Sequence, residues 1–158
     1  MRRLPSARGR GSGARSSAGG EPLEIRGARV LVGGSGSGRP LVLRRPISPL
    51  GDLDHVRGVL RAEGEEVAGR VLAFPYAVGS SVGSYVLYSL ARRGLAPAAI
   101  LVERADITLA SGCAVAGIAL AELGPEYKEV SEAISGCGLV SFSARVPGPL
   151  LITCSGTS

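Results

Sequence analysis

The stretch FPYAVGSSVGSY, residues 74–85, decides the fold, because the hydrophobic period changes inside it. GRVLAFPY (69–76) is a continuous apolar run of strand length that stops at Pro75. Beyond the turn, Val82, Tyr85, Val86 and Leu90 recur at helical spacing until Arg92, Arg93 and Gly94. A strand therefore gives way to a helix across a turn that carries two adjacent serines. Ser80 or Ser81 suits the N-cap, the two arginines suit the negative end of the helix macrodipole, and Gly94 suits the left-handed C′ position.

Capping accounts for one serine only. Gly79 and Gly83 flank the pair and let a backbone or a ligand approach closely, and Ser84 adds a third hydroxyl one helical turn from Ser80 and Ser81. Together these residues form a concave set of hydroxyls and amides at a helix N-terminus, which suits a carboxylate or phosphate. GSSVG (79–83) also matches the GxSxG elbow of serine hydrolases, with Ser81 at its centre. The hydrolase order of serine, acid, then histidine is not available, because the single histidine, His55, lies upstream.

Outward from this turn the elements are short. LEIRGARVLVG (23–33) alternates like a half-exposed strand, and LVLRRPIS (41–48) reads as another. The intervening GGSGSGRP (33–40) reads as a flexible hairpin or surface loop; it satisfies neither GxGxxG nor the P-loop pattern. PLGDLDHVRG (49–58) is turn-rich, and its His55 reads as a solvated side chain. APAAILVE (96–103) predicts a buried strand, ADITLASGCAV (105–115) a short helix and GIALAEL (117–123) a strand. EYKEVSEAIS (126–135) has room for a helical turn or two, and GCGLVSFSARV (136–146) and GPLLITCSG (148–156) read as β. Strands outnumber helices, which predicts an α+β or three-layer β/β/α body over residues 21–158.

Bulk properties exclude several classes. The net charge of +5 comes from the first 20 residues, where Arg2, Arg3, Arg8, Arg10 and Arg15 stand with no acid, leaving 13 basic and 13 acidic residues over 21–158. A phosphate-backbone binder should carry its charge on the folded body, so nucleic acid is not an expected partner. Residues 1–20, rich in Gly, Ser and Arg, read as a disordered basic tail. No apolar run approaches the ~18 residues a membrane span needs. Cys113, Cys137 and Cys154 are odd in number and widely spaced, with no CxxC, so no metal site of the chain's own is expected. They read as buried, reduced thiols in a cytoplasmic setting.

GRVLAFPYAVGSSVGSYVLYSLARRGLAPAAILVER (69–104), followed by GCAVAGIAL (112–120), resembles the small subunits of the aconitase X family, and among them those of archaeal phosphomevalonate dehydratases. RPISPLGDLD (45–54) resembles the family segment in which a serine precedes a glycine-rich turn and an aspartate. The likeness runs from about Leu23 to at least Leu120. It implies a swivelling β/β/α domain equivalent to the fourth domain of aconitase, here a separate chain. The implied partner is a large subunit that holds a 4Fe-4S cluster through its own cysteines and acts with this chain as a hydro-lyase. In the aconitase-type GSSRE turn the first serine is the catalytic base. Laid on GSSVG, that serine is Ser80, with Ser81, Gly79, Gly83 and Ser84 as substrate-binding neighbours. Val82 stands in place of the aconitase arginine and Val78 where relatives often carry lysine, so a substrate carboxylate must be held from elsewhere. The substrate class implied is a small phosphorylated hydroxy acid, (R)-5-phosphomevalonate. Hydroxyproline is the nearest alternative, and a non-catalytic anion-binding scaffold is the rival from another class.

Overall fold

A computed structural model describes residues 20–157. The reading of the tail falls on residues outside this range, save Gly20, whose amide donates to the Cys154 carbonyl at 2.9 Å.

In chain order the strands are β1 (Leu23–Ile25), β2 (Arg29–Val32), β3 (Gly34–Gly38), β4 (Pro40–Val42), β5 (Leu53–Asp54), β6 (Val59–Leu60), β7 (Val71–Phe74), β8 (Ala99–Val102), β9 (Ala119–Glu122), β10 (Cys137–Ala144) and β11 (Leu150–Thr157). The helices are α1 (Pro49–Asp52), α2 (Gly83–Arg92), α3 (Ile107–Ala116) and α4 (Tyr127–Ser135). One sheet is antiparallel, in the order β1-β11-β10-β3. The other runs β2-β9-β8-β7-β4, with β9, β8, β7 and β4 parallel and β2 antiparallel at the edge. β5 and β6 form a small separate hairpin.

The parallel sheet is buried on both faces, and its strands divide the work by side-chain size. Val71, Ala73, Ala99, Leu101, Ala119 and Ala121 face the antiparallel sheet and meet Val140, Phe142, Leu150 and Ile152. Leu72, Phe74, Ile100, Val102 and Leu120 face the helices and meet Val86, Leu87, Leu90, Leu109 and Cys113. Alanines on one face let the two sheets approach, while large chains on the other fill the space under α2 and α3. Burying each large apolar chain contributes about 1.5–3 kcal/mol relative to leaving it exposed. The result is the expected three-layer β/β/α body, with α4 closing the edge of the inter-sheet core through Tyr127, Val130 and Ile134.

Two expectations need correction. The glycine-rich segment is a strand, β3, paired with β10 from Gly34↔Ala144 to Gly38↔Val140. Its glycines allow close approach: a Cβ on Gly36 would lie 3.4 Å from the Phe142 ring, and one on Gly38 would collide with the Gly69 carbonyl. The second concerns sulfur. Cys137 and Cys154 are joined in a disulfide, because the β10–β11 pairing brings their Cα atoms to 5.5 Å. Only Cys113 is the buried free thiol expected, so the cysteines give no ground for a reducing compartment. No helix of the described residues is long and apolar enough to cross a membrane.

Candidate functional site

The serine turn lies at the C-terminal end of β7, where parallel strands hand over to the N-termini of α2 and α3. In open α/β sheets ligands bind outside the carboxyl ends of the strands. Chain 46–52 runs beside the turn and latches it: Ile47 pairs in parallel with Ala77, the Ile47 amide donates to Tyr76 O at 3.1 Å, and the Val78 amide donates to Ile47 O at 2.9 Å.

The latch continues through side chains. Ser48 caps α1, its Oγ accepting from the Gly51 amide at 3.2 Å, with Pro49 at the first helical position. The Ser48 amide donates to Asp52 Oδ2 at 2.6 Å, which also accepts from Arg45 at 3.2 Å. Arg45 reaches both Glu63 carboxylate oxygens at 2.9 Å. That pairing raises the Arg45 pKa and holds the Glu63 carboxyl below its ordinary value. Gly79 has φ +109°, and a Cβ there would sit 2.9 Å from Ser48 Oγ. Glycine is therefore required twice over, by backbone conformation and by the neighbour.

At the serines the local geometry differs from simple capping. The N-cap of α2 is Val82, which has no side-chain cap, and the chain enters through tight turns from Gly83 N to Ser80 O at 3.0 Å and Ser84 N to Ser81 O at 3.1 Å. Ser80 Oγ accepts from the Val82 amide at 3.1 Å, a side-chain turn two residues long. The amides of Gly79, Ser80 and Ser81 donate to no protein acceptor among the described residues. At the far end Gly94, at φ +73°, closes α2 as expected, with Leu95 N donating to Leu90 O at 2.8 Å.

Gly79, Ser80 and Gly83 line a small cleft of about 10 Å3 with Pro49, Asp106 and Thr108. Ser80 and Ser81 are both exposed, but Ser81 does not line this cleft. Ser84 Oγ donates to Thr108 O at 3.2 Å and so ties α2 to α3. Asp106 caps α3, one carboxylate oxygen accepting from the Leu109 amide at 2.8 Å. Next to it, Glu122 takes the Ala105 amide at 2.9 Å and Arg29 at 2.8 Å, and these bonds hold its carboxyl below the ordinary value.

Sequence reasoning missed this supporting shell. Ser48 followed by Pro49 was a readable helix start, but nothing in the sequence joins Arg45 to Glu63 or Ser48 to Gly79. His55 is not merely solvated: its Nδ1 lies 2.7 Å from Ser89 Oγ and its ring meets Tyr85 edge-on. A larger cavity, about 240 Å3, opens on the other face of the sheet between Pro75, Glu103, Lys128 and Glu132. Tyr127 lines it, and burial pushes its phenol up to about 12, but its hydroxyl is enclosed and no serine of the turn reaches this cavity.

Comparisons with known proteins point to one family. The aconitase X swivel domain profile matches residues 25–144. The chain is 42% identical over 103 residues to the phosphomevalonate dehydratase small subunit of Pyrococcus furiosus, covering 62% of this chain and 76% of that one. To the protein of the same name from Aeropyrum pernix it is 45% identical over 103 residues, covering 65% and 76%. The holo-form crystal structure of Thermococcus kodakaraensis aconitase X superposes with a TM-score of 0.68 at 32% identity, over 84% of this chain and 98% of that one. A solution NMR structure of a UPF0107 protein gives 0.70 at 34%, over 82% and 97%. With the profile spanning most of the fold and the serine turn inside it, the chain belongs to the aconitase X swivel-domain family.

Proposed function

We propose that this chain is the small subunit of a hydro-lyase that dehydrates (R)-5-phosphomevalonate to trans-anhydromevalonate 5-phosphate, in a modified mevalonate route to isoprenoids. The observation that carries the reading is the exposed Ser80 in a turn of free amides at the carboxyl edge of β7, in a chain whose relatives bear that name.

The role of Ser80 is to take the proton from the carbon next to the substrate carboxylate as the β-hydroxyl leaves and the double bond forms. A free serine is far too weak a base, so its alkoxide must be stabilised by its surroundings. The Val82 amide, which donates to Ser80 Oγ at 3.1 Å, and the N-terminus of α2 supply part of that stabilisation, and closure by a large subunit excludes water. The 4Fe-4S cluster belongs to the large subunit in this reading. Among the described residues no group of His, Cys, Asp and Glu is placed to hold a metal, Cys137 and Cys154 are joined, and burial pushes the Cys113 thiol up to about 12, so this chain's residues do not fit the group.

A second substrate is favoured by one observation: Asp106 lines the Ser80 cleft, and a carboxylate there suits a substrate bearing an ammonium, such as hydroxyproline. The test is co-expression with the large subunit under anaerobic conditions and assay with both substrates. Ser80→Ala should cost about 10²–10⁴ in kcat with the complex intact. Unchanged turnover would leave the scaffold reading in its place.

A further inference from the structure

The serine turn, residues 79–83, carries no cation of its own. With valine at position 82, the helix start offers no positive side chain, and Val82 is exposed and apolar. The chain leaving β8, however, places Arg104 at the same carboxyl edge of the sheet. Val102, the last residue of β8, faces the helices and Glu103 opens on the opposite cavity; Arg104 follows in the bend that leaves the strand. At the end of β7 Phe74 faces the helices, Pro75 lines the opposite cavity, and Tyr76 follows as the chain leaves the strand. The Glu103 and Arg104 amides both donate to Pro75 O, at 2.9 and 3.3 Å, which fixes the two continuations side by side. Arg104 Cζ then lies 4.1 Å over the centre of the Tyr76 ring.

This contact leaves the guanidinium ready to bind. The ring takes its flat face, while its N–H donors lie in the guanidinium plane and make no hydrogen bond or ion pair to protein among the described residues. The charge is exposed, stacked and uncommitted, in contrast to Arg45 and Arg70, which are tied to carboxylates. A planar fork held in advance loses less freedom when it meets a planar or tetrahedral oxyanion.

We infer that Arg104, presented on the Tyr76 ring at the carboxyl edge beside the Ser80 turn, binds an anionic oxygen group of the substrate, carboxylate or phosphate. The inference rests on the function proposed above and takes it further: this chain contributes substrate recognition as well as the serine.

The test uses the two-subunit complex. Arg104→Gln should raise KM for phosphomevalonate by about 10- to 100-fold, the loss of a charge-assisted pair, with kcat changed far less. Arg104→Lys, which keeps charge but not the fork, and Tyr76→Leu, which removes the platform, should fall between. Arg92→Gln, at the exposed end of α2, should leave KM unchanged. Mevalonate, which keeps the carboxylate and lacks the phosphate, separates the two anions. If Arg104→Gln weakens inhibition by mevalonate as well, the carboxylate is held; if only phosphomevalonate is affected, the phosphate is. An unchanged KM in Arg104→Gln, beside a Ser80→Ala complex that has lost turnover, overturns the inference and leaves the role of Ser80 standing. If Ser80→Ala retains full turnover, the parent reading fails. Calorimetric binding of mevalonate and inorganic phosphate to the complex then decides Arg104 alone: weaker binding in Arg104→Gln supports it and equal binding overturns it.

Discussion

At Gly79 two constraints meet in one residue. The backbone sits at φ +109°, where side chains are strained by about 1–3 kcal/mol, and the added Cβ would press on Ser48 Oγ at 2.9 Å. That oxygen is engaged by the Gly51 amide, so it cannot turn away without loosening α1. Gly79→Ala should therefore lower the melting temperature modestly. It should lower kcat of the complex more, about 100-fold, because a serine displaced by an ångström loses its alignment. Equal turnover in the variant would show that the turn conformation does not matter to the chemistry. The two serines separate at the same scale. Ser80 lines the cleft and Ser81 does not, so Ser81→Ala should change turnover far less than Ser80→Ala. The reverse order, with covalent labelling of Ser81 by a serine-directed phosphonate, would return the hydrolase reading.

Between elements, α2 and α3 touch where a side chain is absent. A Cβ on Gly112 would come within 2.9 Å of Leu87 Cδ1 and 3.1 Å of Ser84 Cα, which is backbone and cannot rotate aside. Gly112→Val should cost about 1–3 kcal/mol through overpacking, read as a fall of several degrees in melting temperature. It should also disturb the Ser84 to Thr108 bond that joins the two helix starts. Glu122 ties β9 to β2 through Arg29 and to the start of α3 through the Ala105 amide. Its carboxyl lies below the ordinary 4.5 in the folded protein, first because of the Ala105 amide and then because of Arg29. A depressed acid contributes stability that is complete above 4.5 and is lost as pH falls through the folded value. Melting curves of the wild type should thus drop below about pH 4.5, and Glu122→Gln should melt lower at neutral pH with a shallower drop in the acid range. Elements with a clear pattern were legible in sequence: β7, α2, β8, α3 and β9 fall where apolar runs and helical spacing put them, but the N-cap expected at Ser80 or Ser81 is not made, since α2 starts after Val82 with no side-chain cap. β3 was not, because glycine reads locally as a breaker, and only the partner Phe142 and the Gly69 carbonyl explain why a strand needs it there.

Across the whole molecule, parallel strand order assembles what the sequence keeps apart. Ser48, Gly79 and Asp106 come from three separate connections at one carboxyl edge, and Tyr76 meets Arg104 only because β7 lies beside β8. The serine turn itself was readable, since its glycines and hydroxyls are contiguous; its braces were not, since each depends on a pairing between distant segments. The sulfur chemistry was misread for the same reason. Cys137 and Cys154 stand 17 residues apart and become neighbours only through the β10–β11 hairpin. Closing a loop of that length restricts the unfolded chain by about 3 kcal/mol, so reduction, or Cys154→Ser, should lower the melting temperature by several degrees. Cys113 gives the internal contrast. It lies on the inner face of α3, fully buried in the core between the helices and the sheet, and burial pushes its thiol up to about 12, which leaves almost no thiolate at neutral pH. A thiol reagent added to the folded, reduced chain should label the exposed Cys154 quickly, and the buried Cys137 and Cys113 only on opening or unfolding. Rapid labelling without prior reduction, or a melting temperature indifferent to reductant, would show that the two strands are held by hydrogen bonds and packing alone.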